Sequence, residues 1–168
     1  MHPTTPSDVI PMLAAAPRLP SCSPLELAAA LRRLHRAGVR RGYMLLAPTR
    51  SGREPVRWWA RLCNVIQEET GLGVVLVEAS HRGVDPVRVL AETGLATGIA
   101  VLHDLTRGER SALLEISRGV CTGDLGLLAE ARARGAANYE PGEAEAAIRD
   151  GRSSEVPGLS SGGLAATA

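Results

Sequence analysis

Two hydrophobic rhythms alternate along the chain. Short, unbroken apolar runs occupy residues 42–48, 74–77 and 99–102, and a fourth leads into Thr122. Such runs leave no polar face, as expected of parallel strands covered on both sides. Between them the apolar positions recur at helical spacing. Leu27, Ala30, Leu31 and Leu34 follow a Ser23-Pro24 start and run out at Gly38. Val56, Trp59, Leu62, Cys63 and Ile66 mark a second helix over residues 55–70, closed by Gly71 and Gly73. Asp85-Pro86 opens a third helix reaching Glu92, and Leu113, Leu114 and Ile116 mark a fourth over 106–117. A strand and tight turn over 120–126 lead into a fifth helix ending at Arg134, and a short strand at 136–139 precedes a last helix at 143–149. Ser before Pro, and Gly after the last apolar position, are the expected helix start and stop signals.

Each strand–helix–strand connection is long enough for a right-handed crossover, so the pattern predicts an α/β fold: a single Rossmann-like domain built on a doubly wound parallel sheet. The domain is expected over residues 25–150. Prolines at 3, 6, 11, 17, 20 and 24 predict an extended arm over residues 1–24, and the Gly/Ser-rich run 151–168 predicts a disordered tail.

Composition narrows the class. With 168 residues and a formal net charge of +1, its basic and acidic residues scattered along it, the chain suits one domain, and neither a nucleic-acid footprint nor a polybasic membrane anchor is expected. Arg32, Arg33, Arg36, Arg40 and Arg41 are expected to be a solvated face. The start of the chain has neither the basic opening nor the apolar segment of a secretory signal, and no apolar run has spanning length, so a cytoplasmic location is expected. Cys22, Cys63 and Cys121 are too few and too far apart for a disulfide framework or a CxxC metal site, and are expected to be buried thiols. Every basic side chain other than histidine is arginine. Lysine chemistry is therefore excluded, and any phosphate clamp must use arginine or backbone N–H groups.

In a doubly wound sheet, ligands bind beyond the carboxyl ends of the strands. The loops there carry Thr49, Arg50, Ser51 and Arg53; Glu78, Ser80, His81 and Arg82; His103, Asp104 and Thr106; and Thr122-Gly123-Asp124-Leu125-Gly126. Hydroxyls, arginines and glycine N–H groups suit a phosphorylated ligand. The turn at 122–126 is the focus: Gly123 and Gly126 allow close backbone approach, and the first turn of the following helix offers N–H groups and the positive end of its dipole to an anion. Asp124 equally fits a plain helix N-cap. No Ser-His-Asp order, HxxxH helix, P-loop or full GxGxxG motif is present.

Three segments resemble the C-terminal half of the heptosyltransferase-like glycosyltransferases, a family of GT-B fold that moves a sugar from a nucleotide-sugar. They are Leu45-Leu-Ala-Pro-Thr-Arg with Arg57-Trp58, Leu105-Thr-Arg-Gly-Glu-Arg-Ser-Ala-Leu-Leu, and Gly123-Asp-Leu-Gly-Leu-Leu-Ala-Glu-Ala. Together they fall within residues 40–140. The resemblance implies a nucleoside-diphosphate sugar as donor substrate, with no metal. It places the diphosphate near Thr49, Arg50, Arg53 and Arg57 and in the turn formed by Thr122, Gly123, Asp124 and Gly126. It implies a glycan or lipid-linked acceptor, bound by a second chain or homologous half. The chain departs from the family turn at three positions, with Leu125 for Thr/Ser, Leu127 for Pro and Ala129 for His. Those departures leave open a catalytically degenerate interaction or regulatory module. A third reading is another small α/β domain, such as a flavodoxin-like or receiver-like one; the Ala47-Pro48 ending of the first strand opposes a receiver, which needs acids there.

Overall fold

The computed structural model describes residues 20–50, 53–95 and 97–149, with the side chains of 148 and 149 excepted. The expected tail, most of the expected arm, and Ser51 lie outside the described residues. The elements run α1 (Pro24–Arg36), β1 (Tyr43–Ala47), α2 (Pro55–Thr70), β2 (Gly73–Leu76), α3 (Pro86–Thr93), β3 (Ile99–Val101), α4 (Arg107–Ile116), β4 (Gly119–Thr122), α5 (Leu125–Ala133), β5 (Asn138–Tyr139) and α6 (Pro141–Arg149).

All strand pairs in the five-stranded sheet are parallel, and the strand order is β3-β2-β1-β4-β5. The chain first winds outward from β1 through β2 to β3, then crosses back to place β4 on the other side of β1. The strand order thus reverses between β1 and β4. This is the Rossmann order, distinct from the 2-1-3-4-5 order, so the flavodoxin-like and receiver-like examples of the third reading do not fit the topology.

The unbroken apolar runs are explained by burial on both faces. Tyr43, Leu45 and Ala47 of β1, with Val75 and Val77, join the core beneath α1, α4 and α5. Their neighbours Met44 and Leu46, with Val74 and Leu76, join the core beneath α2, α3 and α6. Fully burying each such Leu or Val stabilises the fold by roughly 1.5–3 kcal/mol. Trp59, completely buried, is the largest side chain of the second core.

The helix ends follow the expected signals. Ser23 with Glu26 and Thr106 with Glu109 form reciprocal capping boxes, and Asp85 caps α3 through the Val87 amide. Gly71 closes α2 with φ 67°, a left-handed conformation that glycine adopts without Cβ strain. The last helix starts at Pro141, two residues before its expected onset, because proline needs no N–H in a first turn. No helix among the described residues is long and apolar enough to cross a membrane.

Two expectations change in detail. Arg33 is not simply solvated. Its guanidinium pairs with Glu109 at 3.0 Å and donates to the carbonyls of His103 and Asp104, fastening α1 to the loop after β3. Cys63 and Cys121 are buried thiols, but Cys22 is only partly buried, beside Glu115 and Arg134.

Candidate functional site

The strand-order reversal brings the loops after β1 and β4 side by side. Thr122 ends β4 fully buried, and its hydroxyl donates to the Ala47 carbonyl at 2.8 Å while accepting from the Asp124 amide at 3.0 Å. One side chain therefore ties the tips of β1 and β4 together. Beside it, the Trp59 indole donates to the Thr49 carbonyl at 2.9 Å, anchoring the loop after β1 to α2. That loop is also held to the one after β2, through Arg50 N–H to the Arg82 carbonyl and Val84 N–H to the Pro48 carbonyl.

Gly123 is required for space. It has no positive φ, but a Cβ there would lie 2.5 Å from Thr49 Oγ1. The two loops touch at this point. Thr49 itself is 6% exposed, and its hydroxyl has no hydrogen-bond partner. A buried, unpaired hydroxyl is costly enough to need an explanation.

Asp124 takes the role that the sequence left open between cap and ligand site. One carboxylate oxygen accepts from the amides of Gly126 and Leu127, at 3.0 and 3.2 Å, and the other accepts from the Ser80 amide at 2.8 Å. Burial alone would raise its pKa. The amides of Leu127, Ser80 and Gly126, with a smaller electrostatic contribution from nearby His81, outweigh that and hold the carboxyl below its ordinary range. Asp124 is thus an ionised cap that also fastens the loop after β2 to α5. Two amides of the α5 first turn, which the sequence assigned to an incoming anion, are satisfied by the protein's own carboxylate.

Sequence reasoning missed Arg110, in the first turns of α4. Its guanidinium reaches Ser80 Oγ at 3.4 Å, while its Nε is buried and without a partner. The unpaired Thr49 hydroxyl lies against Gly123, while Arg110 reaches Ser80, whose amide donates to Asp124. No spacing motif announces Arg110, because its place depends on where the loop after β2 folds.

Of the sequence-predicted residues, the structure brings together Thr49, Thr122, Gly123, Asp124 and Gly126. Arg50 and Arg53 are exposed on the rim. Arg57 is committed elsewhere: it pairs with Glu54 at 3.5 Å and with Glu92 of α3 at 3.3 Å. Two loop residues of this rim, Arg82 and Asp104, hold left-handed backbone conformations at φ 49° and 50°. Such strain persists only where surrounding structure imposes it. No group of three or more His, Cys, Asp or Glu side chains among the described residues could hold a metal.

Chemically, the loops beyond β1, β2 and β4, with the start of α4, hold a buried hydroxyl, a buried guanidinium N–H and exposed arginines. These are donors without a nucleophile–base pair, suited to holding an anionic group. Comparison with known protein families gives no match to this chain, and comparison with functionally characterised proteins gives none.

Proposed function

We propose that this chain binds a nucleoside-diphosphate sugar in the crevice between the tips of β1 and β4. It would act as the donor-binding half of a glycosyltransferase resembling the heptosyltransferases, serving a glycan or lipid-linked acceptor held by a second chain or homologous half. The observation that carries the reading is the pair of buried, unpartnered donors at the strand-order reversal, Thr49 Oγ1 and Arg110 Nε. In this reading each of the two donates to a phosphate oxygen of the bound ligand, and Arg50 and Arg53 meet the outer phosphate charge. Sugar transfer proceeds by displacement at the anomeric carbon, with the departing diphosphate stabilised by arginine and backbone N–H groups rather than by a metal.

The test is a thermal-shift screen of the purified chain against ADP, UDP, GDP and CMP, with FMN and acetyl phosphate as outgroups. A ligand present at a hundred times its dissociation constant stabilises by about 2.7 kcal/mol, so weak sites register at millimolar concentration. A shift with one nucleoside diphosphate supports the reading and names its donor class.

A second reading, a degenerate interaction module, is favoured by a specific observation. The α5 amides are taken by Asp124, and Thr122 is spent on Ala47. If no phosphate ligand gives a shift, the donor-binding reading fails and this second one stands.

A further inference from the structure

Between Glu26 and Glu54 the sequence contains no acidic residue but seven arginines. In a chain of net charge +1, that is a strong local imbalance. Arg32, Arg36, Arg40 and Arg41 are all exposed, and no described acidic side chain pairs with any of them. The acids nearest in the fold are already engaged. Glu26 caps its own helix, Glu109 holds Arg33, and Glu115 lies 3.5 Å from Arg134.

The same surface carries apolar side chains that the core does not use. α1 turns Ala30 and Leu34 inward, yet Leu25 is 75% exposed and Leu31 is 55% exposed. Leu25, Arg32 and Arg36 recur at steps of seven and four residues, so they form one outer stripe, with Leu31 on the adjacent one. The exposed leucines and the unpaired arginines thus lie on neighbouring stripes of α1 that the core does not use.

We infer that the outer face of α1, with Arg40 and Arg41 behind it, docks on an anionic lipid surface. Clustered arginines on an amphipathic helix are attracted to the negative charge of lipid headgroups, and the leucines enter the apolar boundary beneath them. The leucines decide between polyanions. A nucleic acid would reward aromatic stacking, but this patch offers none: the chain has no phenylalanine, and Tyr43 and Trp59 are buried. The inference is independent of the nucleotide reading, since docking uses none of the crevice residues.

The experiment is co-sedimentation of the full chain with phosphatidylcholine vesicles, with and without phosphatidylglycerol, at low ionic strength and at roughly 0.15 M salt. The expected result is partitioning onto the anionic vesicles only, weakened by salt. Each arginine removed should lower partitioning on the order of fivefold. Arg32→Gln with Arg36→Gln should therefore cost on the order of twenty-five-fold. Leu25→Ser should lower partitioning while leaving its salt dependence unchanged. All three side chains are exposed, so the variants should keep the wild-type Tm, which is checked alongside. Absence of partitioning at low salt, equal binding to neutral vesicles, wild-type partitioning of the double variant, or binding of oligonucleotide in place of vesicles would each overturn the inference.

Discussion

Replacing Thr49 with valine separates a ligand-binding role from a structural one, because the two roles predict opposite signs. Thr49 is 6% exposed and its hydroxyl has no partner. A buried, unsatisfied polar group costs about 1–3 kcal/mol, and valine keeps the shape while removing that group. Thr49→Val should therefore stabilise the free protein by about 1 kcal/mol, raising Tm by roughly 2–4 °C for a chain of this size. Binding should move the other way. A hydrogen bond to a charged partner is worth about 1.5–3 kcal/mol, so affinity for the nucleoside diphosphate should fall at least about tenfold. Urea denaturation of the free variant and calorimetric titration of the ligand read the two effects separately. If Thr49→Val destabilises the free protein by about 1 kcal/mol or more, the hydroxyl is satisfied in solution and the reasoning fails. If stability rises while affinity is unchanged, the hydroxyl is buried for a reason other than this ligand.

Asp124→Ala removes three amide contacts that join α5 and the loop after β2, and should cost about 3 kcal/mol, from the lost cap and the charge-assisted bond to Ser80. Because the folded pKa is depressed, that contribution is fully present above the unfolded aspartate value of about 3.9 and is lost as pH falls through the folded value. Wild type and variant should thus differ fully at pH 6 and converge in strong acid, as urea titrations over that range will register. Gly123→Val must push against Thr49, so it should destabilise by about 1–3 kcal/mol, measured by thermal denaturation. Burial pushes the Cys63 thiol up to about 12 and raises Cys121 further. A thiol reagent at pH 8 should leave both unmodified in the folded protein and label them only after denaturant is added.

The strands and helices could be read in advance because each is fixed by local chemistry. Tyr43 to Ala47 must be covered on both faces, and Ser23 and Thr106 cap with the glutamates three residues on. The strand order was not legible. It depends on β4 returning to pair with β1, a contact across more than seventy residues that leaves no periodic trace. The site divides the same way. The turn at 122–126 could be found from its glycines, but its hydrogen bonds could not. Only the adjacency of β1 and β4 turns the Thr122 hydroxyl toward Ala47, and only the fold of the loop after β2 brings Ser80 to Asp124. Arg57 is the opposite case. Its place beside Trp58 drew attention to it, yet the packing of α2 on α3 hands it to Glu92. Arg33 and Arg110 look alike as helix arginines in sequence; one fastens the loop after β3, and the other reaches Ser80 with its Nε buried and unpaired.

The most direct test of the crevice as a binding site is residue-resolved. A two-dimensional amide NMR titration of the isotope-labelled chain should be run with the nucleoside diphosphate that gives the largest thermal shift. The account predicts saturable shifts confined to the amides around Thr49 and Arg50, Ser80 to Arg82, and Gly123 to Leu127, with the Arg110 side-chain N–H among them. Shifts that concentrate elsewhere, or no saturable shifts at millimolar ligand, would contradict it.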